Sequence, residues 1–184
     1  MSARDRLLDT ARDLFVSEGI ANVGINTVTD RAGVARMTLY NNFESKDALV
    51  IAVFEREAEF RREAITSTQE ILEGPFERVL ALFAVALELA TLKGFRGCAF
   101  VNLAIEAAAP DSALHDLARG HKTWILENIK AQLALGEFND SDALADQIAV
   151  LWDGSIVGAY IHQSDRPIQS AREAARSLLR FSAT

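Results

Sequence analysis

The sequence has little of what secreted and membrane proteins need. Its only cysteine, Cys98, cannot form an internal disulfide or by itself a thiolate metal site, which fits a reducing compartment. Charged residues closely follow Met1, where a secretion signal would have an apolar stretch. The most apolar segment, residues 143–161, is interrupted by acidic and amide side chains, whereas a membrane span needs about 20 mostly apolar residues. We therefore expect a cytoplasmic protein that makes no contact with membranes.

Basic side chains are also scarce. The 19 lysines and arginines are outnumbered by 26 aspartates and glutamates, so the net charge is -7 and the pI is near 5.0. Proteins that coat nucleic acids by bulk attraction carry basic faces, and this composition argues against that class. Any DNA binding must come from a few locally placed groups.

Local signatures of catalysis are missing. The sequence contains no GxSxG, GxxxxGKS/T, GxGxxG or HExxH motif, so we expect neither an enzyme nor a bound cofactor. His115, His121 and His162 lack the i, i+4 spacing of metal ligands, and no metal site is expected. Two alternatives stay open. Carboxylates distant in the sequence could meet in the fold, or the chain could be an interaction protein that has lost DNA binding.

Apolar residues recur at helical spacing along the chain, with glycine and proline mainly between the periodic segments. This pattern predicts an all-α fold of nine helices, at about 3–18, 27–32, 36–42, 46–65, 75–92, 98–108, 110–135, 141–162 and 169–181. The sixth, from Cys98 to Ala108, is apolar enough that we expect it to be buried. Four residues are expected to cap helices at their N-termini: Thr27, Ser45, Asp140 and Ser141.

The segment from Ile25 to Val50 has the pattern of a helix-turn-helix unit. Two short predicted helices meet at Gly33, which adopts positive φ at low cost, and small Ala32 lets them approach. One face can pack over the first helix through Val28, Val34, Leu39 and Phe43. The opposite face presents cationic, hydroxyl and amide groups suited to phosphates and base edges. We expect that face to enter a DNA major groove.

This segment resembles the DNA-binding domain of the TetR (tetracycline repressor) family over residues 4–54. The resemblance is carried by the spacing of Phe15, Gly19, Thr27, Ala32-Gly33-Val34, Leu39-Tyr40, Phe43, Ser45-Lys46 and Leu49. It implies a transcriptional regulator, with a helix-turn-helix DNA-binding domain over 1–46 and a helical regulatory and dimerisation domain over 47–184. Such a protein is expected to be a homodimeric repressor that binds palindromic double-stranded operator DNA and is released by a small-molecule effector.

The resemblance also implies roles for individual side chains. Thr27 would cap the second helix and contact a phosphate, Thr38 and Tyr40 would anchor the recognition helix, and Lys46 would reach another phosphate. The full expected DNA-binding set is Thr27, Arg36, Met37, Thr38, Tyr40, Asn41, Asn42 and Lys46. Three positions depart from the family pattern, namely Ala35 in place of a capping hydroxyl, Met37 in place of a small residue, and Asn42 in place of histidine. The operator sequence therefore cannot be predicted. The alternative is that Tyr40 is a core aromatic and Lys46 a solvated helix residue.

Past Phe60 the resemblance is weaker, and its implications concern an effector pocket. Large residues on the helices that enclose the family's cavity are candidates: Phe83, Leu87, Phe100, Asn102, Leu103, Trp124, Trp152 and Tyr160. Few of these are polar, so the expected effector is uncharged and largely apolar. The same side chains could simply form the core. Cys98 could sense redox conditions beside Arg96 or pack as a small apolar residue.

The eighth predicted helix carries Gly154 and Gly158 at GxxxG spacing, which lets another helix approach closely. The resemblance implies that the eighth and ninth helices of two subunits form a four-helix interface. Its expected members are Leu151, Gly154, Ile156, Gly158, Leu178, Leu179 and Phe181. Close packing within a single subunit is the alternative.

Overall fold

The computed structural model describes residues 1–107 and 109–183. Within them the all-α prediction is confirmed, with nine helices in the expected order. They are α1 (Ala3–Glu18), α2 (Ile25–Ala32), α3 (Arg36–Asn42), α4 (Lys46–Glu70), α5 (Gly74–Ala90), α6 (Ala99–Glu106), α7 (Ala113–Leu133), α8 (Ser141–His162) and α9 (Arg166–Ser182). None of these helices combines the length and the apolar character that a membrane crossing requires.

Several helix ends differ from the predictions. Helix α4 continues to Glu70, past the predicted end near Ile65, and α9 begins at Arg166 because Pro167 fits the first turn of a helix, where no N–H partner is needed. The predicted end of the sixth helix at Ala108 and the chain end at Thr184 lie outside the described residues.

Three of the four predicted helix caps are wrong. Helix α2 begins at Ile25 after an extended Gly24, so Thr27 lies inside its first turn and does not cap it. Asp140 precedes α8 in the left-handed conformation, and its side chain makes no cap hydrogen bond. Ser141 is the first residue of α8 and does not cap it. The Ser45 cap is confirmed, since the Ala48 N–H donates to Ser45 Oγ at 3.0 Å. Helix α1 has a reciprocal cap that was not predicted, in which Ser2 and Asp5 bond each other's backbone N–H groups.

The chain divides into two compact units. Unit 1 comprises Met1–Phe60 and Ala99–Gly120, and unit 2 comprises Arg61–Cys98 and His121–Thr184. In unit 1, α1, α2 and α3 pack on one another, and the core includes Val28, Leu39 and Phe43 as predicted. In unit 2, α5, α8 and α9 form the central packing.

Helix α6 is only partly buried, which corrects the expectation of a fully buried helix. Phe100 and Leu103 are buried, and the Phe100 ring meets Phe54 edge to face at 5.8 Å. On the other side Ile105 is 75% exposed. Apart from Asn102 and Glu106 this short helix is apolar, so its sequence has no apolar periodicity to show that the side carrying Ile105 faces solvent.

Candidate DNA-binding surface

The turn between α2 and α3 sets the position of the candidate surface. Gly33 lies in the left-handed region at φ 63° and ψ 41°, as the sequence predicted for the end of α2. Its N–H and that of Val34 donate to carbonyls of α2, at 3.3 Å to Asp30 O and 3.1 Å to Thr29 O. These bonds satisfy the end of α2 and turn the chain into α3. Leu39 is fully buried and fixes which side of α3 faces away from α1 and α2.

The outward side of α3 carries the residues that the sequence analysis assigned to DNA. Arg36, Met37, Tyr40, Asn41 and Asn42 are exposed. Two further residues predicted to bind DNA lie on α2 and α3. Thr38 of α3 is half-buried, and Thr27 is exposed on the first turn of α2. The structure thus places the predicted groups on the surface of the helix-turn-helix unit.

Two contacts order the edges of this surface. Arg36 Nη2 donates to Tyr40 Oη at 3.4 Å, and the guanidinium carbon lies 5.6 Å from the centre of the Tyr40 ring. On the other edge Asn42 Nδ2 donates to the Thr38 carbonyl at 2.7 Å. Tyr40 is therefore a surface residue paired with a cation, and the alternative of a core aromatic is wrong.

Lys46 is tied to the loop between α1 and α2. Its Nζ donates to Ile20 O at 2.6 Å, so it is not simply a solvated side chain. An ammonium group has three donors, which leaves two for a phosphate. Glu106 of α6 holds the same loop through a 2.9 Å bond that its carboxylate accepts from the Ala21 N–H. The sequence showed no pairing signal for this contact, because its partners are far apart in the chain.

Helix α1 is joined to α4 behind this surface by an ion pair within unit 1. Arg12 Nε donates to Glu57 Oε2 at 2.7 Å, and the Glu57 side chain is only 1% exposed. Burial disfavours the charged guanidinium, but the Glu57 and Asp13 carboxylates outweigh it, so the pKa of Arg12 lies above its usual value. The charge of Arg12 thereby compensates a carboxylate that is buried in the domain.

The candidate effector residues occupy several environments. In unit 2, Phe83 and Trp152 are buried and meet edge to face with ring centres 6.1 Å apart. Trp152 Nε1 is buried, and no described residue accepts its hydrogen bond. Trp124 lies 5.7 Å below the Arg62 guanidinium, and exposed Tyr160 contacts Phe95. Leu87 is half-buried in unit 2, whereas Phe100, Asn102 and Leu103 belong to α6 in unit 1.

Cys98 has a cationic neighbour that the sequence could not identify. Lys122 Nζ lies 3.3 Å from Cys98 Sγ and 2.5 Å from Asp153 Oδ1. Burial opposes the charge of Lys122, but Cys98 and Asp153 outweigh this effect and hold the pKa of Lys122 above its usual value. The sequence had suggested Arg96 as the cation beside Cys98, whereas the cation within hydrogen-bond distance of its thiol is Lys122.

The candidate interface residues divide into two groups. Ile156 and Leu179 are buried inside unit 2, and Gly158 lies against α9, where an added Cβ would come within 3.0 Å of Pro167. Gly154, in contrast, faces open space. Leu151, Leu178 and Phe181 line a groove of about 750 Å³ on α8 and α9. The full lining of this groove is Asp146, Gln147, Val150, Leu151, Ala174, Ser177, Leu178 and Phe181.

Comparison with known proteins agrees with this architecture. The family model of bacterial regulatory proteins of the tetR family matches residues 7–53, and that of the tetracyclin repressor-like C-terminal domain matches residues 75–175. An all-helical fold with an N-terminal helix-turn-helix unit defines a class of DNA-binding regulators. The chain belongs to the TetR family of bacterial transcriptional regulators, as its resemblance indicated.

Individual relatives support the same assignment. The TetR-family regulator SCO4454 from Streptomyces coelicolor is 30% identical with a TM-score of 0.92, over 99% of this chain and 96% of that one. The transcriptional repressor NemR from Escherichia coli is 28% identical over 177 residues, covering 91% of this chain and 89% of that protein. The HTH-type regulator Rv1255c from Mycobacterium tuberculosis is 36% identical over 88 residues, which span 47% of this chain and only 43% of that protein.

Proposed function

We propose that the chain is a homodimeric repressor that binds palindromic double-stranded operator DNA and leaves it when a small, largely apolar effector binds. The observation that carries this proposal is the outward side of α3, where cationic, phenolic and amide groups are exposed on a helix anchored by buried Leu39. Such groups suit the phosphates and base edges of a major groove. Residues 1–46 would bind DNA, and residues 47–184 would dimerise and hold the effector.

Each DNA-binding side chain has a proposed part. Thr27, Thr38, Tyr40 and Lys46 bind phosphates and fix the register of α3 in the groove. Arg36, Met37 and Asn41 face base edges, and Asn42 contacts DNA at the flank of α3. Because the net charge of the chain is -7, these few contacts have to overcome general repulsion from DNA. Affinity should therefore depend strongly on each phosphate contact.

A second copy of the chain is the proposed occupant of the α8–α9 groove. The apolar side chains at its surface include Val150, which is 72% exposed, and Phe181, which is 93% exposed. An apolar patch of this kind on a monomer marks an interaction surface. Two subunits related by a twofold axis would present two α3 helices to half-sites about 34 Å apart. Leu151, Gly154 and Leu178 would contribute to this interface.

The effector is proposed to bind among the aromatic side chains of the regulatory domain. Trp152 Nε1–H is buried without an acceptor, and a buried donor in that state costs about 1–3 kcal/mol. An apolar molecule with one acceptor oxygen would satisfy it while contacting Phe83. By linkage, the effector releases DNA only if it binds more tightly to a dimer whose two α3 helices are wrongly spaced. Helix α4, which runs from Lys46 to Glu70, would transmit that change.

The proposal is tested by selecting DNA from a random pool and titrating the selected duplex by fluorescence anisotropy. Lys46→Ala and Tyr40→Phe should weaken binding to all sequences, and Lys46→Ala should reduce the salt slope of the dimer by about two phosphate contacts, one from each subunit. Lys93→Ala is the matched control, because Lys93 is an exposed lysine beyond α5. If Lys46→Ala and Lys93→Ala had the same effect, the proposed phosphate contact would be wrong.

Release by an effector is tested separately on the same duplex. Compounds that displace the protein are screened, and Trp152→Phe is then compared with the parent chain. An effector that accepts a hydrogen bond from Trp152 should bind this variant more weakly, while operator affinity without effector stays unchanged. If compounds bind the chain without altering its operator affinity, the release mechanism is contradicted.

A further inference from the structure

The side chain of Met37 is conspicuous on the candidate DNA-binding surface because it is apolar. It is 69% exposed, although the residues around it on α3 are polar. Successive residues of an α-helix are about 100° apart, so Met37 and Asn41 each lie about 160° from buried Leu39. These two side chains therefore form the centre of the outward side, where a helix in a groove comes closest to the bases.

The flanks of α3 are occupied by contacts that leave this centre open. Arg36 is hydrogen-bonded to Tyr40 on one flank, and Asn42 is bonded to the Thr38 carbonyl on the other. Both flanks can still contact DNA, since each keeps further donors. The first turn of α3, by contrast, offers a thioether to whatever base pair it meets.

A thioether discriminates among base edges in a simple way. It donates no hydrogen bond and accepts only weakly, so it cannot replace the water that hydrates the polar edges of guanine, cytosine or adenine. In the major groove only thymine presents an apolar group, its C5-methyl. Contact with that methyl buries apolar surface on both sides, whereas contact with another base leaves polar groups desolvated without a partner.

We propose that Met37 contacts the C5-methyl group of a thymine in each operator half-site and thereby selects an A·T pair at that position. This inference rests on the proposed operator binding and names the base that the first turn of α3 recognises. It assigns Met37 to specificity, and leaves the general affinity for DNA to the phosphate contacts.

Deoxyuridine provides a direct test, because it differs from thymidine only by the missing methyl. In the selected operator, each thymine of one half-site is replaced in turn by deoxyuridine, and affinities are measured by fluorescence anisotropy. One replacement should weaken binding of the parent chain about fourfold, the effect expected for one buried methyl. Met37→Ala should bind the thymine duplex and the duplex with that deoxyuridine replacement equally. Because Met37 is exposed, this variant should keep its fold, which circular dichroism checks.

Ile71→Ala is the matched control, since Ile71 is an exposed apolar residue beyond the end of α4. This variant should keep the full preference for thymine. The inference is overturned if no deoxyuridine replacement changes the affinity of the parent chain, or if Met37→Ala retains the parent's preference. Either result would leave operator binding itself intact. Failure to enrich any DNA sequence would instead overturn both operator binding and the role of Met37.

Discussion

At the scale of single residues, His121 of α7 is the group whose titration is most perturbed. Burial disfavours its charged form, and repulsion from Lys122, Arg61 and Arg62 adds to this effect, lowering the pKa of His121 to about 3. In the unfolded chain a histidine titrates near 6.5, so between these values the unfolded state binds more protons than the folded state. The stability that His121 contributes is therefore present above pH 6.5 and lost as the pH falls towards 3.

This titration predicts a pH dependence of folding. Lowering the pH from 7.5 to 5 should reduce the free energy of unfolding by about 2 kcal/mol through His121, and urea titration at both values measures the change. His121→Gln should reduce the loss. His162→Gln, which alters an exposed histidine, should not. An unchanged pH dependence in His121→Gln would contradict this assignment.

The candidate site was predictable from the sequence to different extents from one residue to another. Local spacing was enough to identify the exposed side of α3, because Leu39 and Gly33 determine its direction. The pairing of Lys46 with Ile20 and of Cys98 with Lys122 could not be predicted, since it depends on the packing of distant segments. The prediction that Thr27 caps α2 was wrong because extended Gly24 allows α2 to begin earlier.

At the scale of elements, two ion pairs connect α1 with α4 and differ in burial. Arg12 bonds the buried carboxylate of Glu57, whereas Arg56 and Asp9 form an exposed pair at 2.6 Å. Losing a hydrogen bond to a buried charged group costs about 1.5–3 kcal/mol, but exposed pairs contribute about 0–1 kcal/mol. Arg12→Met should therefore lower the free energy of unfolding by about 1.5–3 kcal/mol, as measured by urea titration.

Arg56→Met is the matched control and should cost less than about 1 kcal/mol. Equal effects of the two arginine replacements would show that burial does not distinguish these pairs.

The helices themselves were largely predictable, and the exceptions have physical reasons. The bounds of α1, α3 and α8 agree with the apolar periodicity and its flanking glycine, proline and polar residues. Helix α4 extends past its prediction because its last turns carry the sequence TSTQE, whose helical conformation depends on tertiary packing. One of these contacts is a reciprocal amide pair in which Gln69 and Asn128 bond each other at 2.9 and 3.1 Å.

At the scale of the whole molecule, the proposed binding of a palindromic operator requires a dimer of this chain. Val150→Asp places a charge in the apolar groove of α8 and α9 and should convert the dimer to monomers, which sedimentation equilibrium measures. The loss of the dimer should also lower the affinity for the operator, since a monomer contacts only one half-site. Ile105→Asp, at an exposed apolar position on α6, is the control and should remain dimeric. A dimeric Val150→Asp variant would show that the subunits meet elsewhere.

The most direct test of the central claim is a hydroxyl-radical footprint of the chain on its selected operator. Two α3 helices related by a twofold axis should produce protected segments with twofold symmetry, centred one helical turn or a whole multiple of it apart. Exchange of Arg36 and Asn41 for alanine should abolish both segments together. A single asymmetric footprint, or one that persists in this variant, would contradict the account.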